Sequence, residues 1–197
     1  MILFLLIALL LGSVSEATRI RSPSGYSLER LAPARSQEIG AQLLPASFDV
    51  LFHGKTEPPY TGRFLSSDWS LDGPRSSGFK EEGVFVNPIG KLPLFNTTHK
   101  FISGTGWPSF YDCFDKEHVQ HLILPGNKGF TEVLCARTGL HLGHCFPDKP
   151  PPVLKRQLEM ERGGPLGRFE FQRFCINACS IEFVPSSQLH LLEQYRD

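Results

Sequence analysis

The run from Arg173 to Phe183 restricts the fold more than any other part of the sequence, because it is short, apolar and alternating at its start. In an extended chain successive side chains point to opposite faces, so Arg173, Cys175 and Asn177 would share one face. Ile181 and Phe183 keep the parity of Cys175, so either the strand is buried on both faces or a bulge interrupts it. The pattern predicts a β-strand in a packed sheet.

Cys175 lies between a cation and an amide on this predicted face, with Arg173 and Asn177 as its neighbours. A nearby cation stabilises the thiolate, which is the nucleophilic form of cysteine. A second interpretation is that Cys175 and Cys179 fill a core, because free cysteine is among the most buried residue types. The strand alone leaves both interpretations open.

The composition favours short strands joined by many turns, because the 197 residues include 16 phenylalanines, 16 prolines and 18 glycines. The length fits one globular domain with appendages. Acidic and basic residues balance at 20 each, so charge gives no general argument for nucleic acid or an anionic membrane. We predict a mainly β domain and no nucleic-acid partner.

The ends of the chain are predicted to lie outside this domain. Residues 1–17 combine a short apolar run with small residues, which is typical of a signal peptide, and an uncleaved anchor is the alternative. Residues 18–35 predict a loosely ordered linker, and residues 186–197 predict a C-terminal helix and tail. The leader predicts the secretory pathway, either secretion or retention in the endoplasmic reticulum lumen.

The number of cysteines is odd, so at least one thiol is unpaired or paired outside the chain in an oxidising compartment. The count does not choose which one. The cysteines crowd into the later part of the chain, unlike those of a small disulfide scaffold. They are Cys113, Cys135, Cys145, Cys175 and Cys179.

Two further segments carry side chains suited to chemistry. In Gly104–Phe110, two glycines allow a tight turn that could hold Trp107 at the edge of a pocket or bury it in the core. In Gly139–Phe146, a bend at the glycines would bring His141 and His144 to one side, although residues three apart on a regular strand face opposite ways. Two imidazoles beside a cleft are natural proton carriers, and ordinary half-buried histidines are the alternative.

The remaining pattern predicts a hairpin and a long insertion. Gly83–Val86 and Leu92–Phe95 are predicted strands joined by a turn at residues 87–90. Segment 149–172 predicts a short amphipathic helix inside a long loop. This insertion would serve as a lid or a partner surface, or it would disturb the site.

Several motifs, in this order, resemble those of the methionine-R-sulfoxide reductases, the MsrB family. The similarity covers residues 36–185, with 149–172 as a longer connection than the family usually has. The weaker motifs are Thr56–Gly62 and Pro93–Phe95. The three signatures are Gly104-Thr105-Gly106-Trp107-Pro108-Ser109-Phe110, His141-Leu142-Gly143-His144 with Phe146-Pro147-Asp148, and Arg173-Phe174-Cys175-Ile176-Asn177.

The resemblance implies two antiparallel sheets with a few short peripheral helices, of the Mss4-like β-tent type, around a shallow active site. It implies that Cys175 attacks the sulfoxide sulfur and becomes a sulfenic acid. His144, with His141, would supply a proton to the departing oxygen through water.

The resemblance also implies roles for the neighbouring residues. Arg173 would favour the thiolate, and Asn177 would orient the histidines or water. Trp107 would form an apolar wall for the methyl group of the substrate. Phe146 and Asp148 are further candidates for the substrate site, with Asp148 supporting the polar network.

The sequence departs from the family at its zinc site. Many members hold a structural zinc with two Cys-x-x-Cys pairs, which supply four soft ligands. Here the first pair is replaced within residues 86–90, and the second retains Cys135 with Thr138 at the partner position. We predict no bound zinc.

The usual resolving cysteine is also replaced, and Thr105 stands at its position. Cys113 is the candidate for a mobile resolving thiol, with an unrelated buried thiol as the alternative. Cys179 would lie roughly 13 Å from Cys175 on a straight strand, beyond the reach of a disulfide. Regeneration is therefore expected to use another thiol or an external reductant.

These observations predict a monomeric oxidoreductase that reduces methionine-R-sulfoxide, in oxidised proteins or as the free amino acid, with thioredoxin or another thiol as reductant. The first alternative is a catalytically weak or inactive secreted protein that binds a ligand in the same cleft. The second is a secreted metal-binding module with Cys135, His141, His144 and Cys145 as ligands.

Overall fold

The computed structural model of the chain describes residues 20–65, 82–123, 125–126, 129–167 and 171–196. Within them the fold consists of two antiparallel β-sheets and a few short helices, so the predicted mainly β class is confirmed. The signal peptide predicted for residues 1–17 lies outside the described residues. None of the described helices is long and apolar enough to cross a membrane.

The described residues form three α-helices, and each begins with a proline in its first turn, where a backbone N–H is not needed. The second and third end at Gly54 and Gly163, whose left-handed backbone closes the helix C-terminus. The helices are α1 (Pro33–Gly40), α2 (Pro45–His53) and α3 (Pro152–Arg162). The strands are β1 (Gly83–Val86), β2 (Pro93–Asn96), β3 (Lys100–Phe101), β4 (Ser109–Phe110), β5 (Val119–Ile123), β6 (Thr131–Cys135), β7 (His141–Pro147), β8 (Gln172–Ile176) and β9 (Glu182–Pro185).

The smaller sheet has the strand order β2–β1–β9, and the larger has the order β3–β4–β8–β7–β6–β5. β1 and β2 form the predicted hairpin. Buried phenylalanines join the sheets: Phe95 on β2 stacks on Phe110 on β4 with ring centroids 4.4 Å apart. Phe85 on β1 meets the same Phe110 edge-on at 5.1 Å. This aromatic cluster fixes β4, the neighbour of β8, against the smaller sheet.

The N-terminal segment 20–35 packs onto the domain. Tyr26 is only 3% exposed and belongs to the main core. The backbone N–H and the hydroxyl of Ser24 both donate to Asp115 Oδ2, at 3.1 and 2.9 Å. The predicted loose linker over 18–35 is therefore wrong for residues 20–35, because one aromatic anchor and a hydrogen-bonded carboxylate order a segment whose composition is polar.

The insertion at 149–172 contains the predicted amphipathic helix, α3. Its apolar face is anchored by Leu154, which is buried against Phe101 and Phe171 in a small second core. The α3 helix is therefore docked on the outer strand of the larger sheet, since Phe101 belongs to β3.

The segment predicted as a C-terminal helix forms a tighter 3-10 helix, Ser186–Tyr195. Leu192 is buried and joins the main core. No side-chain hydrogen bond caps the start of this helix, so packing of Leu192 holds it in place.

Candidate active site

Cys175 lies near the end of β8, in the middle of the larger sheet, and is half-buried. In the strand register it stands directly opposite Ser109 of β4 on one side and His144 of β7 on the other. Directly opposed residues on neighbouring antiparallel strands have Cβ atoms about 5 Å apart. The nucleophile candidate and the proton-carrier candidate are therefore cross-strand neighbours on one face.

The side-chain alternation between Arg173 and Phe183 is interrupted neither by a bulge nor by burial of both strand faces, the two possibilities expected from the sequence. β8 ends at Ile176, and residues Ala178–Ser180 form a 3-10 helix before β9. A single straight strand from Cys175 to Cys179 does not exist, so the roughly 13 Å estimate between them does not apply. Cys179 instead lines a separate cavity beside α2.

A β-bulge in β7 places the two histidines on one face. Leu134 of β6 pairs with His141, but two residues earlier Glu132 pairs with His144. Leu142 is the extra residue of the bulge. Because of it, His141 and His144, which are three positions apart, project from the same face of the sheet. The predicted bend is confirmed, and its physical form is this bulge.

Gly143 is required by the close approach of β8. A Cβ atom at this position would collide with the carbonyl oxygen of Cys175 and lie 2.9 Å from the Cα of Ile176. The glycine lets the histidine strand and the cysteine strand pair at normal distance, which brings His144 beside Cys175.

A polar network orients the histidines. His141 is hydrogen-bonded through Nδ1 to Glu132 Oε1 at 2.7 Å, and its Nε2 lies 3.5 Å from Asn177 Nδ2. The rings of His141 and His144 are 5.4 Å apart and cross at 66°. Burial lowers the pKa of His144, and the neighbouring His141 lowers it further. His144 is therefore neutral at pH 7 and able to accept a proton.

Arg173 is fixed by three contacts beside Cys175. Its Nε donates to Asp148 Oδ2 at 2.5 Å, and its guanidinium lies 4.2 Å from the ring centroid of Phe146. One terminal nitrogen also donates to Thr105 Oγ1 at 3.4 Å. Asp148 therefore acts on Arg173, and through it on the position of the charge beside Cys175.

The pKa of Cys175 is raised by burial. The charge of Arg173 lowers it, as do hydrogen bonds from Thr105 and Arg173, while the charge of Asp148 raises it. The expectation that Arg173 favours the thiolate is right in direction, but burial outweighs it. The resting protein therefore holds a protonated thiol at neutral pH, since even the ordinary cysteine pKa lies above 7.

These groups open into a pocket of about 360 Å³. Trp107 forms one wall, and its Nε1 donates to the carbonyl of Glu57 at 3.0 Å. Gly106, with φ +90°, makes the tight turn predicted before this tryptophan. The pocket is lined by Thr56, Trp107, Phe130, Gly143, His144, Phe146, Cys175 and Asn177.

The sequence comparisons decide the family. The SelR domain family matches residues 43–185. The chain is 31% identical over 166 residues to the peptide methionine sulfoxide reductase MsrB of Xylella fastidiosa strain M23, covering 83% of this chain and 88% of that protein. The chain belongs to the MsrB family.

Other relatives agree with this assignment. The protein of the same name from Caulobacter vibrioides strain NA1000 is 34% identical over 165 residues, covering 83% of this chain and 85% of that protein. The one from Escherichia coli O45:K1 is 31% identical over 150 residues, covering 76% of this chain and 88% of that protein. The match extends along most of both chains, so this MsrB-family protein shares the full domain with them.

Several site residues escaped the sequence reasoning. Glu57 belongs to the motif Thr56–Gly62 but has no role assigned from the sequence, and its carboxylate accepts the backbone N–H groups of Ala178 and Cys179 at 2.5 and 3.1 Å. It ties the 56–62 turn to the end of β8. The sequence feature that could have identified Glu57 is its place in the family-like motif Thr56–Gly62.

Glu132 and Phe130 were also missed. Glu132 lies in β6, and only the register with β7 reveals it as the partner of a histidine. Phe130 precedes that strand and packs on Phe146 with ring centroids 5.0 Å apart. No motif marks Phe130, because its role depends on which strands are neighbours.

Cys113 is not brought to Cys175. It lines a different cavity together with Cys145 and Phe174. Cys145 and Phe174 alternate with His144 and Cys175 along their strands, so this cavity opens on the opposite face of the sheet. Burial raises the pKa of Cys113 to about 12. A direct resolving role for Cys113 would require it to cross the sheet.

The alternative metal site is not assembled. His144 and its neighbour Cys145 point to opposite faces of β7. Cys135 is fully buried, and a hydrogen bond joins its thiol to Thr138. Among the residues that the structure describes, no cluster of three or more His, Cys, Asp or Glu could hold a metal ion.

Proposed function

We propose that this chain reduces methionine-R-sulfoxide to methionine, in oxidised proteins or as the free amino acid, with Cys175 as the nucleophile. The main support for this proposal is the strand register, which sets Cys175 opposite His144 in a pocket lined by Trp107 and Phe146. Membership in the MsrB family supports peptide-methionine (R)-S-oxide reductase activity.

The chemistry transfers one oxygen atom from the substrate to sulfur. Neutral His144 accepts the proton of Cys175 as the sulfur attacks the sulfoxide sulfur, and the same proton reaches the sulfoxide oxygen through His144, His141 and water. The attack forms a bond between the two sulfur atoms; that bond and the S–O bond of the sulfoxide then break as the protonated oxygen transfers to Cys175, so methionine sulfoxide and a thiol become methionine and a sulfenic acid. Asn177 and Glu132 hold His141 in place for this transfer.

The apolar walls select the substrate. Trp107, Phe130 and Phe146 surround the pocket with aromatic surface that suits the methyl and methylene groups of the substrate side chain. Asp148 assists by holding Arg173 over Phe146.

Regeneration requires an external reductant in this proposal. Thr105 replaces the usual resolving cysteine, and Cys113 faces the opposite side of the sheet. Thioredoxin or another dithiol would reduce the sulfenic acid, leaving its own disulfide, water and the Cys175 thiol.

The residues at the family's zinc position do not fit a zinc ion. Turn 87–90 lies against Thr138, since a Cβ at Gly90 would be 2.8 Å from its methyl group. Asn87 Oδ1 accepts the backbone N–H groups of Ile89 and Gly90, which closes the turn. Among the described residues, Cys135 is the cysteine that remains at this position, whereas a structural zinc takes four ligands of the thiolate or imidazole type. We infer a zinc-free turn held by Asn87.

The test uses each epimer of methionine sulfoxide with dithiothreitol. Turnover is expected for the R epimer and not for the S epimer, and a folded protein that does not turn over the R epimer contradicts the proposal. Cys175→Ser is expected to abolish turnover. Serine substitutions of the other four cysteines serve as matched controls and are expected to keep most of the turnover. These cysteines are Cys113, Cys135, Cys145 and Cys179.

An inactive binding protein using the same cleft is the second candidate. The raised pKa of Cys175 favours it, because a protonated thiol is a weak nucleophile. Binding of the R epimer without turnover by the intact protein would select this candidate.

The apolar leader supports a location in the secretory pathway. Expression in a eukaryotic cell, followed by N-terminal sequencing, tests it, and a mature protein that begins after residue 17 is expected. We also expect a monomer, which light scattering in solution can test.

A further inference from the structure

Two large apolar side chains are exposed beside the Cys175 pocket. Phe130 is 45% exposed although it lines the pocket, and Leu122 on β5 is 48% exposed. Leu122 stands directly opposite Glu132 on β6, and Glu132 stands opposite His144. Leu122 therefore shares the sheet face of Cys175.

Phe130 is the residue just before β6, two residues before Glu132. Continuing the pairing of β5 and β6 by one residue would set Phe130 diagonally across from Leu122, a relation that spans about 7–8 Å. The contact of Phe130 with Phe146 confirms that its ring turns toward the pocket face. The two side chains form an apolar shelf that begins at the pocket wall.

We infer that this shelf, Phe130 with Leu122, binds apolar residues that flank methionine sulfoxide in a polypeptide substrate. The inference rests on the proposed function and names the class of protein substrate that the site prefers.

Distance selects a polypeptide as the occupant. Three strand spacings separate Cys175 from Leu122, which is about 14 Å. Free methionine sulfoxide in the pocket cannot span this distance, whereas an extended peptide covers it in about four residues. The shelf is continuous with the pocket through Phe130, so an occupant of the shelf adjoins the reacting side chain.

The charge between the shelf and the histidines favours an apolar occupant. Glu132 is the ionisable residue in the row between Leu122 and His144, and its carboxylate is already bound by His141 at 2.7 Å. An apolar side chain bound over Glu132 therefore does not desolvate an unpaired charge, because the carboxylate keeps His141 as its partner.

The test compares Leu122→Ser with Ile123→Ser. Ile123 is the next residue of the same edge strand, is 77% exposed, and faces the opposite side of the sheet through its pairing with Thr131. Three substrates are reduced with dithiothreitol: free methionine-R-sulfoxide, a peptide with leucines around the sulfoxide, and the same peptide with serines.

The expected result is selective. Leu122→Ser should lower kcat/KM for the leucine peptide by about three- to tenfold, corresponding to the loss of part of one apolar contact. Its kcat/KM for the free amino acid and the serine peptide should be unchanged, and Ile123→Ser should behave as wild type. Equal effects on all three substrates, no effect, or equal effects of both variants would overturn the inference.

A binding measurement separates this inference from the proposed function. Peptide binding to Cys175→Ser, measured by isothermal titration calorimetry, does not require turnover. A wild-type protein without R-epimer turnover that still prefers the leucine peptide would contradict the enzymatic proposal and keep the shelf. A change of oligomeric state in Leu122→Ser would show that a second copy covers the shelf, which would overturn the inference.

Discussion

Replacing Thr105 with valine removes a hydroxyl beside the sulfur of Cys175 and keeps the side-chain shape. Thr105 is hydrogen-bonded to Cys175 and accepts from Arg173 at 3.4 Å. Its hydroxyl also lies 2.8 Å from that of Ser103, which accepts from Ser109 at 2.7 Å. When Ser103 donates to Thr105, the hydroxyl proton of Thr105 is free to donate to the sulfur, which stabilises the thiolate.

The size of the effect follows from the strength of one hydrogen bond to an ion. Such a bond contributes about 1.5–3 kcal/mol, and one pKa unit corresponds to about 1.4 kcal/mol. The half-buried position of Cys175 favours the lower part of this range, so Thr105→Val should raise the pKa of Cys175 by about one unit. Below that pKa the thiolate population should fall about tenfold.

The assay is the rate of iodoacetamide alkylation of Cys175 as a function of pH, followed by mass spectrometry of the peptide that contains it. Thr105→Ser keeps the hydroxyl and is the matched control, with a midpoint expected near that of wild type. An unchanged midpoint in Thr105→Val would refute the idea that this hydroxyl supports the thiolate. A lowered midpoint would do so equally.

The remaining predictions concern packing, charge and pH. Gly143→Ala should lower the free energy of unfolding by about 1–3 kcal/mol, because its Cβ collides with the backbone of β8, whereas Gly164→Ala lies in open space and should change the urea midpoint little. Asp148→Asn removes a charge that raises the pKa of Cys175, so alkylation at pH 8 should be faster, and a slower rate would contradict this. Burial lowers the pKa of His118, so its contribution to stability is full above about pH 6.5 and is lost as the pH falls through the lower folded value. Urea unfolding at pH 7.5 and pH 5 checks this, and equal stability at the two values would count against it.

The insertion shows how far local sequence can be interpreted. Its pattern predicted an amphipathic helix, and α3 occupies Pro152–Arg162. The sequence did not show that Leu154 docks against Phe101, because that contact joins residues more than fifty positions apart. The linker prediction failed for the same reason, since the burial of Tyr26 depends on distant parts of the chain.

The sequence alone determined the mainly β class, the shared parity of Arg173, Cys175 and Asn177, and the motif order that indicates the family. These features are local, because side-chain alternation and turn chemistry act within a few residues. The tertiary structure decided the bulge at Leu142 and the role of Glu57. It also decided that burial outweighs Arg173 in setting the pKa of the Cys175 thiol. Register and desolvation depend on which strands become neighbours, and that choice is made by the packing of the whole domain.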